Sequence, residues 1–510
     1  MVKTGEHLDP AGSDATQADI AASKRRAIIG SRTLMLRRVV VVIIQFLSMV
    51  TVSRLLAPRE FGLAAMSNVV FSFINLFCDF GMTNALMRKG HISPDEISLI
   101  FWFNISMTTI LAVTMALSAP FIADFYHEPE VYWIVLTSLI GFAVSGFALQ
   151  HRALMIREMR FPTLATIEIG SMVAGFVVTL ILAFQLRSVW ALVLGMLLSS
   201  VMNGIGYIVM SGWRPGPPKW RREYWDVIRF GLNSSVYSVA LFLSNNAATF
   251  IIGHLLNSQS LGQYNRAQQL YSIPRDNLAQ PITQSTLPLM NRLRPFPDEY
   301  RSVYLSMVRR LSVFLTPLAV IQFFVAVPLV LVLLGPNWRV AGDIFAALSP
   351  AFAVMGAAYC VGDLFVTQNR AAELRNLGLL DVSLRVGAIL YGSSFGVVGA
   401  AWGFSLSTVV AAVLRICIAG RKGPISIGVQ MQAALCGVMP ALGALSACLV
   451  ISLLTLPRSA LVQALVIGCS GLAGAALGVL PSRNARIAVV ELCELFGLDR
   501  LVGKLFRVRA

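Results

Sequence analysis

Charge is scarce in this chain. Asp, Glu, Lys and Arg make up 13% of its 510 residues while hydrophobic residues reach 56%. Soluble domains carry about 25% charged residues, so a water-soluble globular protein and a long disordered one are both excluded. Cysteine is sparse too. The seven are scattered, mostly in apolar stretches, with no C-x-x-C pair, and read as reduced, small apolar side chains and not as a disulfide framework. There is no Walker P-loop, so the chain does not energise itself with ATP. Asp79-Phe80-Gly81 spells a kinase tripeptide in an apolar helix, without the glycine-rich or catalytic loops that chemistry needs. Asp124, His127, Glu128 and Glu130 cluster in one loop and read as a solvated acidic patch. No catalytic group, metal site or cofactor is expected.

What the chain has in abundance is apolar runs. A helix crossing a bilayer needs about 20 mostly apolar residues, and about fourteen such runs can be drawn, from Val39–Leu56 to Ala460–Leu480. The second is Phe61–Met82, the seventh Phe230–His254, the eighth Leu261–Pro288, the tenth Ala341–Val366 and the eleventh Leu374–Gly392. The expected fold class is therefore all-α, a polytopic transmembrane helical bundle.

The net charge of +16 would suggest nucleic acid in a soluble protein, but its carriers are too sparse here. They segregate instead. With about fourteen spans, 33 of the 41 Lys and Arg fall on the side of both termini, 5 on the other side and 3 within spans. The positive-inside rule places both termini in the cytoplasm.

Arg54 to Gly62, reading Arg-Leu-Leu-Ala-Pro-Arg-Glu-Phe-Gly, joins the first two spans. His254 to Gly262, reading His-Leu-Leu-Asn-Ser-Gln-Ser-Leu-Gly, joins the seventh and eighth at an offset of 200 residues. An even number of intervening spans gives the copies the same orientation. This implies two lobes of about six helices each, related by a pseudo-twofold axis along the membrane normal, with a site between them. The expected divisions are a disordered N-terminus (1–30), an N-lobe (31–210), a basic linker (211–229), a C-lobe (230–420), two extra spans (421–481) and an amphipathic cytoplasmic tail (482–510) lying on the anionic leaflet.

The eighth span is the polar one. At about 100° per residue, Arg266, Gln269, Asp276, Asn277, Gln280, Thr283 and Gln284 fall in one sector of about 120°. Such a face turns from lipid toward protein or water, lining a cavity or hydrogen-bonding neighbouring helices. Pro274, Pro281 and Pro288 should bend it. Arg266, Arg275 and Arg385 are the basic residues placed within spans. Arg385 follows Asp381 by one turn, so they can pair; Arg275 adjoins Asp276. Arg266 has no acidic residue within a turn, and a guanidinium suits a phosphate because its donors match two oxygens at once. Asn245 and Asn246 can hydrogen-bond sugar hydroxyls or neighbouring helices. Asp79 and Asp363, each with no basic residue within four positions, can bind a proton or Na⁺ and couple transport to a gradient, or serve in packing.

Ser53 to Leu63, continuing to Asp79-Phe80-Gly81-Met82, resembles the opening of bacterial polysaccharide flippases of the Wzx/WzxC type. Ala119-Pro120 with Phe125-Tyr126, Leu154 to Phe161, and Leu261 to Ala267 followed by Leu270 and Pro274 extend the resemblance over about residues 30 to 420. The family belongs to the multidrug/oligosaccharidyl-lipid/polysaccharide exporter superfamily. The resemblance implies a non-enzymatic flippase that moves undecaprenyl-diphosphate-linked oligosaccharides across a bacterial inner membrane by alternating access, for exopolysaccharide, capsule or O-antigen assembly. Arg266 would meet the diphosphate. Membrane lipids, a polysaccharide polymerase and glycosyltransferases are the implied partners, with no nucleic acid. A multidrug/cation antiporter of the same superfamily and an integral-membrane polymerase or ligase are the alternatives.

Overall fold

A computed structural model of the chain describes residues 37–79, 93–217, 242–243, 246–454 and 459–495. Every regular element among them is helical, and the protein is an all-α polytopic membrane bundle. Ten helices among the described residues are long and apolar enough to cross a membrane. Of the runs drawn from sequence, the second and seventh extend into residues outside the described set. The eighth and eleventh form helices, but too polar to meet that standard.

Contacts divide the chain into two compact units. The first comprises Met1–Leu56, Val70–Asp124 and Glu128–Val239. Its helices include Arg37–Leu55, Glu130–Arg157, Phe161–Leu186 and Trp190–Ser211. Two backbones approach closely where neither residue carries a side chain: a Cβ on Gly175 would lie 2.7 Å from the Gly195 carbonyl oxygen. Small residues permit such contact, which replaces the hydrophobic drive that lipid cannot supply between helices. Glu168 is neutralised here by Arg37 at 2.5 Å and Arg152 at 3.6 Å, and accepts from Tyr207 at 2.9 Å.

The second unit comprises Ala57–Val69, Phe125–His127 and Ala240–Ala510. Its spine is the long helix Pro297–Leu334, against which Arg339–Ala347, Ser349–Thr367, Val438–Leu453 and Ala460–Val479 pack. The tenth apolar run is two helices and not one. It breaks at Leu348, because Pro350 lacks the amide a continuous helix would need. The final described helix, Arg483–Leu495, buries Ala485 and Ala488 against Val313, Cys436 and Val479, and Glu491 pairs with Arg310 at 3.0 Å. The described part of the tail is therefore docked on protein along one side.

The helix after Asn257 shows how local sequence sets the polar span. Asn257 caps it, its side chain accepting from Ser260 N at 2.7 Å. Helix Ser258–Pro274 then meets Pro274, whose ring and missing amide disturb the regular ladder. The chain widens into a π segment, Arg275–Ala279, before resuming as Gln280–Leu293. Of the three prolines expected to bend this span, Pro274 is the one directly followed by the π segment.

Candidate functional site

In the second unit, a cavity of about 200 Å³ opens between helix Ser258–Pro274, the helical segment 246–255 and helices Ala371–Ser393 and Gly396–Lys422. Asn246, Thr249, Tyr264, Asn265, Gln268 and Arg385 give it polar walls, and Ile389 and Phe404 apolar ones. Tyr264 is 3% exposed and its hydroxyl has no hydrogen-bond partner; the buried Gln268 Oε1 also has none. An unpaired buried polar atom costs about 1–3 kcal/mol, and two residues carrying such atoms line this one small cavity.

Arg385 supplies the charge. Its Nη2 lies 3.1 Å from Asp381 Oδ2, the pairing that their spacing along the helix allows, and its Cζ sits 5.2 Å from the Phe404 ring centre. Arg415 reaches the same Asp381 oxygen at 2.9 Å. Two guanidiniums share one carboxylate, leaving the cluster with a surplus positive charge beside the cavity. By sequence position Arg415 groups with the basic loop that follows it. Periodicity gives no signal for its contact, because its partner belongs to another helix.

The expected site residues divide between places. Arg385 and Asn246 line the cavity; Asn246 Nδ2 also donates to the Phe242 carbonyl at 2.9 Å. Arg266 and Gln269 hydrogen-bond to each other and are not among the lining residues. On a helix of about 100° per residue, Tyr264 and Gln268 lie about 160° from Arg266, so the cavity opens on the far side of the helix from the polar sector. Arg275 pairs with Asp276 at 2.8 Å, and Asn277 turns back to the Ile273 carbonyl at 2.9 Å. Asp363 sits in helix Ser349–Thr367 with its Oδ2 buried and unpartnered. Asp79 ends helix Pro58–Asp79 and Gln280 begins Gln280–Leu293, but their side chains, like Asn245 as a whole, lie outside the described set.

His127, in the turn after Tyr126, and His254, near the end of the helical segment 246–255, stack at 5.5 Å, and His254 stacks on Phe125 at 4.3 Å. Among the described residues no group of three or more His, Cys, Asp or Glu side chains is placed to hold a metal ion.

The sequence profile of a family described as polysaccharide biosynthesis protein matches residues 51–343. An uncharacterised membrane protein in the cps region of Klebsiella pneumoniae is 25% identical over 397 residues, 77% of this chain and 81% of that protein. The lipopolysaccharide biosynthesis protein WzxC of Escherichia coli K12 is 22% identical over 394 residues, 77% of this chain and 80% of the relative. Among solved structures, an inward closed conformation of the lipid II flippase MurJ superposes with a TM-score of 0.71 at 12% identity, covering 88% of this chain and 98% of that one.

Proposed function

Because the chain belongs to the polysaccharide biosynthesis family, Wzx-type transporters of the exporter superfamily and not enzymes, we propose that it is a flippase for undecaprenyl-diphosphate-linked oligosaccharide repeat units. In this reading about fourteen spans form two lobes of about six helices plus an extra pair. The protein lies in a bacterial inner membrane with both termini cytoplasmic, and moves its cargo outward by alternating access. A polymerase and glycosyltransferases would act after and before it.

One observation carries the proposal at the level of chemistry: a cationic, hydroxyl- and amide-lined cavity among four helical segments, of which Gly396–Lys422 is long and apolar enough to cross a membrane. Ionisable groups at membrane depth are costly and mark substrate paths. The unpaired Tyr264 hydroxyl and Gln268 oxygen suit sugar hydroxyls, and the guanidinium of Arg385 suits an anion. An organic-cation antiporter would want an acidic, aromatic-lined cavity, and this one carries a surplus of positive charge. Asp363 is the proposed ion-coupling residue, on the strength of its unpartnered buried oxygen.

The proposal is tested by replacing Arg385 with Gln and following surface polysaccharide at matched protein levels in cells that depend on this chain. The expected result is loss of export with lipid-linked intermediates accumulating. Unchanged export removes Arg385 from the transport path.

A further inference from the structure

Arg266 looks away from the cavity and toward Phe61. Its guanidinium carbon lies 3.8 Å from the centre of the Phe61 ring, it donates to Gln269, and its Nε is buried without a partner. Phe61 meets Trp338 edge-on at 5.3 Å, and Trp338 is wholly buried. Gln263, next to Gly262, ties down the loop carrying that indole: its Nε2 donates to the Asn337 carbonyl and its Oε1 accepts from Ala341 N, both at 2.8 Å. Cation and two rings thus form a stack through the first turn of helix Pro58–Asp79.

The same turn makes a second, reciprocal contact. A Cβ on Gly62 would overlap the Ser258 carbonyl, and one on Gly262 would overlap the Pro58 carbonyl. Positions 58 and 62 correspond to 258 and 262 at the repeat offset of 200, so the two copies meet as an isologous pair. Only glycine lets the backbones come this close.

The pieces of the first 239 residues that belong to the second unit are Ala57–Val69 and Phe125–His127, and both meet residues 253–266. Besides the Gly62 and Phe61 contacts, a Cβ on Gly253 would stand 2.7 Å from the Tyr126 ring, and Phe125 stacks on His254. The junction therefore gathers two segments from the N-terminal half around the start of one helix.

We infer that Arg266 is a positioning residue of the transport cycle: by stacking on Phe61 it latches the Ala57–Val69 segment to the start of helix Ser258–Pro274 and holds this junction closed. The inference rests on the alternating-access reading above, in which the junction lies on the outer side. Packed backbones do not deform continuously, so the junction is closed or apart, and a desolvated cation–π contact biases that choice. A contact worth about 2 kcal/mol corresponds to about a thirtyfold change in the ratio of closed to open junctions.

The test uses the full chain in lipid nanodiscs, with its seven native cysteines replaced by Ala and spin labels at Ala57→Cys and Gln259→Cys. Pulsed dipolar spectroscopy should give one short distance in the parent. Arg266→Gln and Phe61→Leu should each add a longer-distance population, shifting the ratio by about thirtyfold, with the double variant going no further than either single one. Arg266→Lys keeps a cation near the ring but loses the flat plane that stacks, and should shift less than Gln; Phe61→Tyr keeps the ring and should stay short. Unchanged distances in Phe61→Leu, or in Arg266→Gln, overturn the latch. If Arg266→Gln does not fold, the comparison of Phe61→Leu with Phe61→Tyr decides. The distance readout needs no glycan, so a chain that shifts as stated yet moves no glycan overturns the transport reading and leaves the latch contact standing.

Discussion

Replacing Asp381 with Asn removes the one carboxylate that Arg385 and Arg415 share, and turns a cluster of charge +1 into one of +2. The side chains of Asp381, Arg385 and Arg415 are 11%, 15% and 31% exposed, so water screens the first two poorly. Breaking a buried pair costs about 3–5 kcal/mol because the remaining charge loses its partner. The partial exposure of Arg415 places the expected loss near the lower end, about 3 kcal/mol. Arg385→Gln is different: Asp381 keeps Arg415 at 2.9 Å, the cluster becomes neutral, and the loss should be about 1–2 kcal/mol. The double variant leaves one partly exposed guanidinium and should be more stable than Asp381→Asn alone, by about 1–2 kcal/mol. Thermal unfolding of the purified protein in detergent, read by size-exclusion fluorescence, orders the three. A double variant less stable than Asp381→Asn, or Asp381→Asn no less stable than Arg385→Gln, refutes the shared-carboxylate account.

Tyr264→Phe deletes a buried hydroxyl that has no partner. It should leave thermal stability unchanged or raise it by up to about 1 kcal/mol while lowering polysaccharide export; a stability loss beyond about 1 kcal/mol would mean the hydroxyl serves packing. Gly62→Ala and Gly262→Ala place a Cβ against the opposite carbonyl and should each cost about 1–3 kcal/mol in the same thermal assay. Gly378→Ala, whose added methyl would meet no atom within 4 Å, should be neutral or stabilising by up to about 1 kcal/mol.

Much of this molecule is written in its sequence at the level of single helices. Apolar runs of spanning length, the proline-disturbed helix and the pairing of Asp381 with Arg385 are local features, and locality is what sequence spacing reports. The repeat around Pro58 and Ser258 is visible as a spacing, but spacing does not say that the two copies touch. Arg266 shows the limit most clearly. Its freedom from nearby acidic residues on its own helix is legible, whereas its neighbour Phe61 lies two hundred residues earlier. The cavity escapes sequence reasoning for a related reason. Hydrophobic patterning marks the polar sector through Arg266, while Tyr264 and Gln268 lie across the helix, and a tyrosine counts as apolar until its hydroxyl is found unpaired. Arg415 sits near a basic loop in sequence and groups with it there; its contact with Asp381 depends on how helices Ala371–Ser393 and Gly396–Lys422 pack.

The most direct measurement of flippase activity is translocation of a fluorescent polyprenyl-diphosphate-linked oligosaccharide by the purified protein in proteoliposomes, scored by accessibility of the glycan to an external glycosidase. The expected result is transfer between leaflets at a rate well above protein-free vesicles, with no chemical change to the glycan. Arg385→Gln should lower that rate by at least about tenfold, the equivalent of about 1.4 kcal/mol of lost interaction. Equal rates with and without protein, or undiminished transfer by Arg385→Gln, would contradict it.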